Sequence, residues 1–316
     1  MRRRVLSALG LIVTALFFGA GRVAAKDLIV AVKSAEAEPY TMAFQGFQEA
    51  LFRKGHQPAF KEYVLKAGER DRLLSEIKDQ RYSLILTFGS TATGLIRGQV
   101  KNVPVVFCMV LNPVASGFVQ SLQSSENNLT GASLDIPVRL QFEALKAVLP
   151  SIRKVGVLYN PRETGEVVEP AVKIAREMGL ELVTAAVSAV ERLPETLDTL
   201  AKRKIDALWS VADSTVFSSD RSVELLLRWS LEQKVPFMGL SPAFVKAGAL
   251  LALSVDYKDV GMQCGEQAVQ VLAGQRPAAV SITVPRKVTL YLNLNAAKAI
   301  GVTIPPQTME GAVVLK

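Results

Sequence analysis

The sequence contains little of what metal sites and many active sites require. It has one histidine and two cysteines among 316 residues. His56 follows Gly55, where a helix is expected to end, and neither cysteine has another cysteine or a histidine near it in the sequence. Phosphate-loop, dinucleotide-binding and nucleophile-turn motifs are also missing. We therefore predict a protein that is not an enzyme and that has no catalytic residues, metal or cofactor.

The sequence also lacks a basic stripe. The formal net charge is +8, and Arg2, Arg3, Arg4 and Arg22 contribute four of these charges, so the chain after residue 25 carries +4. Its lysines and arginines are scattered among acidic residues, without interleaved aromatic side chains. This pattern argues against a nucleic-acid partner.

Long apolar runs are absent except at the beginning of the chain. Three arginines precede an apolar stretch from Val5 to about Ala20, and small residues follow at Val23 and Ala25. This order is typical of a secretory signal peptide, residues 1–25, cleaved after Ala25. A membrane anchor is the alternative, but the stretch is short and interrupted by glycine. We expect a soluble, monomeric periplasmic protein, without a lipid anchor because no cysteine lies near the cleavage site.

The two cysteines leave two interpretations open. Cys108 lies in a strand-like run and Cys264 in a helix-like run. Free cysteines are among the most buried residues, so two separate buried thiols are the favoured interpretation. A disulfide between them is the alternative in an oxidising compartment.

Apolar segments of strand length alternate with helical patterns along the chain. Eight such segments rich in Val, Ile and Leu begin at Asp27, Tyr82, Val103, Lys154, Leu180, Ile205, Val235 and Ala249. Nearly continuous apolar strands that alternate with helices indicate parallel sheets covered on both faces. The alternation occurs once before and once after the polar stretch 124–137, which predicts an α/β protein with two doubly wound, Rossmann-like domains.

The predicted domains exchange chain segments. We expect the first to contain residues 26–131 plus about 254–285, and the second 132–253 plus about 286–316. Ligands of doubly wound sheets bind at the carboxyl ends of the strands. A cleft between the two domains, closing about a hinge, is therefore the expected binding site.

Polar turns follow several of the predicted strands. In GSTATG, a strand ends at Gly89 and a helix begins with Ser90, Thr91 and Ala92. Free N–H groups at a helix N-terminus favour an anion, such as a ligand carboxylate, although the hydroxyls could also cap their own helix. Further candidates at strand ends are Tyr40, Asn112, Asn160, Glu163, Thr164, Asp213, Ser214, Asp256 and Tyr257. Capping or turn formation is the alternative role for Glu163, Asp213, Ser214 and Asp256.

The order of several motifs resembles a known family. NPVASGFVQSL, NNLTGAS, KVGVLYNP, GALLALSVDYKDVG and LNLNAAKAIGVTIP occur in succession across nearly the whole chain. This succession is similar to ABC-transporter substrate-binding proteins, a family with tryptophan- and tyrosine-binding members. The resemblance implies a type I periplasmic-binding-protein fold and delivery of ligand to a membrane permease with its ATPase. It also points to Ser90, Thr91, Asn160, Glu163, Asp213 and Asp256 as binding positions.

Two features depart from that family. Asn112-Pro113-Val114 stands where Asp-Pro-Val is common, which removes a carboxylate from the expected cleft rim, and the lipid-attachment cysteine is missing.

We predict the solute-binding component of an importer for a small zwitterion, such as an aromatic or branched amino acid. Ser90 and Thr91 would bind its carboxylate, and Glu163 and Asp213 its ammonium group. The alternative is a periplasmic sensor subunit for a membrane receptor.

Overall fold

The computed structural model describes residues 27–79 and 81–316. The signal peptide predicted for residues 1–25 lies outside these residues. A parallel sheet and a mainly parallel sheet organise the chain, and we call each sheet with its helices a lobe. The two-domain α/β architecture predicted from the sequence is confirmed.

The first lobe contains a five-stranded parallel sheet. Its strands are β1 (Leu28–Lys33), β2 (Ala59–Val64), β3 (Leu84–Phe88), β4 (Val105–Val110) and β5 (Leu129–Ser133), arranged in the order β2-β1-β3-β4-β5. The helices that follow its strands are α1 (Glu38–Arg53), α2 (Arg70–Asp79) and α3 (Ser90–Arg97).

The second lobe contains a seven-stranded sheet. Its strands are β6 (Lys154–Tyr159), β7 (Glu181–Ala186), β8 (Ala207–Trp209), β9 (Phe237–Gly239), β10 (Leu251–Val255), β11 (Val288–Asn293) and β12 (Val313–Leu315). The order is β12-β11-β10-β9-β8-β6-β7, and β10 and β11 pair antiparallel. The remaining helices are α4 (Val138–Val148), α5 (Pro161–Glu177), α6 (Leu193–Lys202), α7 (Asp220–Gln233), α8 (Pro242–Ala247), α9 (Tyr257–Leu272), α10 (Leu294–Ile300) and α11 (Pro306–Met309).

Burial on both faces explains the continuous apolar runs of the sequence. In β1, Ile29 and Ala31 join the core on one face of the first sheet, whereas Val30 and Val32 join the core on the other face. Successive side chains of a strand point to opposite faces, so both sets must be apolar when helices cover both sides.

Helix α9 belongs to the first lobe although it follows β10 of the second. It packs along α1, where Gly46 and Gly261 allow the two backbones to touch: a Cβ on Gly46 would overlap the carbonyl of Lys258, and one on Gly261 the carbonyl of Ala43. The chain therefore passes between the lobes three times, at residues 134–137, at Asp256 and at residues 284–287.

The boundaries of the lobes differ slightly from the expected ones. Residues 132–133 complete β5 of the first sheet, and residues 254–255 complete β10 of the second. The expected boundaries were placed at polar residues. Ser133 and Ser254 are polar, but they pair within β5 and β10 and so belong to the sheets.

The two cysteines form a disulfide. Cys108 of β4 and Cys264 of α9 are both fully buried, with their Cα atoms 6.0 Å apart, within the range that a disulfide spans. The favoured interpretation of two separate thiols is wrong, because the return of α9 to the first lobe brings together residues 156 positions apart in the sequence.

Candidate functional site

A cavity of about 490 Å³ lies between the lobes. All three connections between the lobes contribute to its wall, through Ile136, Tyr257 and Val284 among others, so the cavity occupies the hinge side of the cleft. Its volume is in the range of pockets for small molecules. Residues after the carboxyl ends of β4, β5, β8 and β9 also line it, as expected for paired α/β lobes.

Most of the cavity wall is apolar. The apolar lining side chains are Leu111, Leu122, Leu134, Ile136, Pro137, Val138, Val167, Trp209, Val211, Ala212, Met238, Leu240, Pro242, Leu253, Val255 and Val284. Trp209 is held in place because its indole N–H donates to Gln141 Oε1 at 2.7 Å, while Gln141 Nε2 donates to the carbonyl of Ile136 at 2.7 Å. The wall therefore has a fixed, apolar surface that suits a ligand with a hydrophobic part.

Asp135 is the single charged side chain among the lining residues that the structure describes. Its Oδ2 accepts hydrogen bonds from the Ser133 hydroxyl at 2.6 Å and from the backbone N–H of Asn112 at 2.8 Å. Within the described residues, no hydrogen bond reaches Oδ1. Burial raises the pKa of Asp135 above its ordinary value, although the hydrogen bonds from Ser133 and Asn112 oppose this rise.

Asn112 shapes the backbone beside this carboxylate. Its φ is +47°, in the left-handed region that asparagine tolerates better than most residues. This conformation accompanies the hydrogen bond from its N–H to Asp135 after the end of β4. Asn112 also lines the cavity, together with Thr164 and Tyr257 among the predicted positions.

The GSTATG turn lies at the carboxyl end of β3 and begins α3. Gly89 has a φ of +81°, and the Tyr40 hydroxyl lies against it, where a Cβ would overlap. The Ser34 hydroxyl donates to the carbonyl of Phe88 at 2.7 Å and accepts from the buried Ala92 N–H at 2.9 Å. The sequence analysis did not single out Ser34.

Ser90 and Thr91 at this turn are exposed. The first hydrogen bond within α3 runs from Thr93 N–H to the carbonyl of Gly89, so the N–H groups of Ser90 and Thr91 have no partner inside the helix. The turn therefore presents hydroxyls and N–H groups at the positive end of a helix.

Asp213 has a different environment in the second lobe. Its side chain is almost fully buried, and Oδ1 accepts from the N–H groups of Thr215 and Val216, both at 3.0 Å. Oδ2 accepts from the N–H of Asn160 and from the Thr164 hydroxyl, both at 2.6 Å. Four donors from its own lobe thus satisfy this carboxylate without a ligand.

Glu163 also bonds within the second lobe. Its carboxylate accepts from the N–H of Ser214, and from the N–H and hydroxyl of Thr215 at 3.2 Å each. Desolvation opposes ionisation, but the hydrogen bonds from Ser214 and Thr215 outweigh it and lower the pKa of Glu163 below its ordinary value. Asn160 caps α5 through its side chain and donates to the Thr215 hydroxyl at 2.9 Å.

Asp256 and Tyr257 begin α9 at the second connection between the lobes. The Asp256 carboxylate accepts from the N–H of Asp259 at 3.0 Å, so it caps the helix. The Tyr257 ring lines the cavity, and burial, with a contribution from the neighbouring Tyr291, raises the pKa of its hydroxyl.

Three of the predicted positions, Asn112, Thr164 and Tyr257, line the cavity. The other predicted positions are not among its lining residues: Tyr40, Ser90, Thr91, Ala92, Asn160, Glu163, Asp213, Ser214 and Asp256. Direct contact of Glu163 and Asp213 with a ligand stays a prediction. The sequence analysis missed Asp135, because the preceding strand β5, with the sequence LTGAS, is not an apolar run and was treated as part of the polar connection 124–137.

A second, larger groove of about 630 Å³ lies on the second lobe alone. It is lined by Arg162, Arg192 and Arg203 beside β7 and α6. Because the first lobe contributes nothing to it, closure of the lobes would not enclose a ligand there. The cavity between the lobes is therefore the better candidate.

Comparison with known proteins identifies the family. The family model of ABC transporter substrate binding proteins matches residues 29–314. The chain belongs to this family. The tyrosine-binding protein of Clostridioides difficile is 24% identical over 266 residues, which are 82% of this chain and 76% of that relative.

Two solved structures show the same fold. One is the ligand-free, open structure of a substrate-binding protein with adhesive properties from Clostridium difficile, with a TM-score of 0.76, 23% identity, and coverage of 92% of this chain and 99% of that one. The other is a domain from Streptococcus pneumoniae in complex with L-Trp, with a TM-score of 0.69, 23% identity, and coverage of 92% and 100%. At this identity the likeness establishes the periplasmic-binding-protein fold and not the ligand.

Among residues 27–79 and 81–316, no helix is both long and apolar enough to cross a membrane. In the same part of the chain, histidine, cysteine, aspartate and glutamate side chains form no group that could hold a metal ion.

Proposed function

We propose that this protein captures a small zwitterion, an amino acid with an aromatic or branched side chain, outside the cytoplasmic membrane. It would deliver the ligand to a permease and its ATPase. The observation that supports this proposal is the cavity itself, which is enclosed by two lobes and three connections, is mainly apolar and contains few polar groups. The similarity to a tyrosine-binding protein and to a domain in complex with L-Trp supports an aromatic ligand.

The two ends of such a ligand need different environments. An apolar side chain fits the wall formed by Val167, Val211 and Leu240. A charged group that is closed into the cleft must be paired, because an unpaired buried charge is costly. The exposed turn at Ser90 and Thr91 is the proposed site for the carboxylate, because it offers hydroxyls and free N–H groups at a helix N-terminus.

We propose structural roles for Glu163 and Asp213 in place of the direct ligand contact predicted from the sequence. Their hydrogen bonds fix Asn160, Thr164 and the turn 213–216, which follow β6 and β8. Thr164 lines the cavity, so the two carboxylates position the wall of the second lobe. This role accounts for polar residues at these strand ends without a direct ligand contact.

A thermal-unfolding screen tests the proposal. The purified protein is unfolded and refolded to remove any carried ligand, then heated with single amino acids, short peptides, sugars and small carboxylates. A ligand at about 100 times its Kd adds about 2.7 kcal/mol to the free energy of unfolding, which should raise Tm by about 5 °C or more. We expect the shift with aromatic or branched amino acids. A shift with sugars alone, or with no amino acid, would contradict the proposed ligand class.

A further inference from the structure

The cavity contains a carboxylate with an unused oxygen. Asp135 has one oxygen, Oδ2, fixed by Ser133 and Asn112, and Oδ1 receives no hydrogen bond from the residues described. The two hydrogen bonds to Oδ2 restrict rotation of the carboxylate and so also fix the position of Oδ1. A carboxylate that is held on one side and free on the other is suited to bind a donor group of a ligand.

The described residues that line the cavity include no lysine or arginine that could neutralise this carboxylate. Lys33, at the end of β1, is paired with Glu62 at 2.8 Å. The ionised form of Asp135 is therefore uncompensated in an apolar surrounding, and burial correspondingly raises its pKa. A positively charged ligand group would remove this cost.

We propose that Asp135 binds the ammonium group of the ligand through Oδ1 and thereby selects ligands with a free amine. This inference rests on the proposed function and names the residue that determines its specificity. Asp135, two residues after β5, also places a carboxylate beside Asn112, where the Asn112-Pro113-Val114 motif lacks one, and the backbone N–H of Asn112 donates to it.

The proposed contacts for the two charged groups of the ligand lie at different strand ends of the first sheet. Asp135 follows β5 and Ser90 follows β3, with β4 between these strands, so about 10 Å separate the two strand ends. Ser90 and Thr91 are not among the described residues that line the cavity. Asp135 therefore supplies the charged contact inside the cavity, and the side chain of the ligand would extend from it toward the apolar wall.

Calorimetric titration of the wild-type protein and Asp135→Asn with L-tryptophan, L-tyrosine and L-leucine tests the proposal. Asparagine has nearly the same shape and retains an acceptor for Asn112, so the fold should persist, which Tm verifies. We expect the affinity for the best of these ligands to fall by about 30-fold or more, as for other truncated charge pairs. Asp213→Asn is the matched control for the competing assignment, and its loss of affinity should be smaller.

Ligands without the amine complete the experiment. Indole propionate is tryptophan without its amino group and serves as the probe. The wild-type protein should discriminate strongly between the two compounds, and Asp135→Asn should lose most of this discrimination, as expected for a coupled pair. If the variant binds the amino acid within about threefold of wild type, or discriminates as wild type does, the role of Asp135 is overturned.

The outcomes separate this inference from the proposed function. If wild type binds none of the amino acids, the proposed function fails and the role of Asp135 fails with it. If wild type binds an amino acid and Asp135→Asn binds it equally well, only the role of Asp135 fails. Should the variant not fold, the wild-type protein still provides a test: binding of an ammonium group must release a proton near the pKa of Asp135, and its absence would contradict the proposal.

Discussion

The two lobes end their strands with similar residues but use them differently. In the first lobe, Ser90 and Thr91 are exposed, and Asp135 keeps one carboxylate oxygen without a protein partner among the described residues. In the second lobe, the oxygens of Glu163 and Asp213 accept hydrogen bonds from their own lobe. The first lobe therefore keeps polar groups without protein partners, of which Asp135 lines the cavity, and the second lobe contributes mainly apolar side chains to the cavity wall.

This difference shows what a polar residue at a strand end does and does not imply. A carboxylate there can bind a ligand or can hold neighbouring loops together, and both uses require the same residue type. Only the donors around it decide between them. Asp213 has four such donors at 2.6 to 3.0 Å, whereas Asp135 has two, both on one oxygen.

The largest decrease in the free energy of unfolding should follow loss of the disulfide, which is located in the first lobe. Cys108–Cys264 closes a long loop, and chain-entropy arguments give a loss of about 2 to 5 kcal/mol when such a bond is removed. The double variant Cys108→Ala with Cys264→Ala should therefore unfold at lower urea concentration. Wild type with dithiothreitol serves as an independent comparison. Equal stability of all three would show that the bond does not secure α9 to the first sheet.

A smaller loss of stability is expected from Asp213→Ala in the second lobe. The substitution removes the acceptor of three backbone N–H groups and of the Thr164 hydroxyl, and each unsatisfied buried group costs about 1 to 3 kcal/mol before relaxation. We expect the free energy of unfolding to fall by about 2 to 4 kcal/mol in urea titrations. Asp135→Asn is the matched control and should change stability by less than about 1 kcal/mol. Similar losses in both variants would abolish the distinction between the lobes.

The smallest effects concern pH, where the lobes should respond with opposite sign. The pKa of Asp135 is raised in the folded protein. The free energy of unfolding of the ligand-free protein should therefore decrease as the pH rises from the pKa of Asp135 in the unfolded state through its pKa in the folded state. The pKa of Glu163 is lowered in the folded protein. Its contribution to stability is therefore present above its pKa in the unfolded state and is lost as the pH falls through its pKa in the folded state. Unfolding measured between about pH 3 and 7, with Asp135→Asn and Glu163→Gln, separates the two groups.

Ligand affinity should depend on pH through Asp135 alone among the acids of the cavity. Below its pKa the carboxyl is neutral and loses its attraction for an ammonium group, so affinity should fall by up to about tenfold per pH unit. Asp135→Asn should show a flat profile over the same range. An equally steep profile in that variant would assign the titration to another group.

Local sequence patterns were sufficient for much of the fold. Runs such as Leu28–Lys33 had to be buried on both faces, and the alternation of strands and helices predicted two parallel sheets, which the structure shows except for the antiparallel pair β10 and β11. The pairing of Cys108 with Cys264 could not be derived in this way, because it depends on α9 crossing back to the first lobe. Contacts over 156 positions follow from tertiary topology and not from local periodicity.

The candidate site was predictable in position but less so in detail. Polar turns after strands led to Asn112, Thr164 and Tyr257, which line the cavity, and their contact with a ligand stays a prediction. The hydrogen bond from Thr164 to Asp213 and the one from the Asn112 N–H to Asp135 could not be predicted from local sequence. Such hydrogen bonds between strand ends depend on strand order, here β4 beside β5 and β6 beside β8.

A crystal structure of the protein with the amino acid that gives the largest thermal shift tests the central claim most directly. The account predicts the ligand between the lobes, with its amine nitrogen within about 3 Å of Asp135 Oδ1 and its side chain against the apolar wall of the second lobe. Asp213 and Glu163 should keep their present hydrogen bonds. A ligand amine bound to Asp213 or Glu163, with Asp135 Oδ1 still free, would contradict the account.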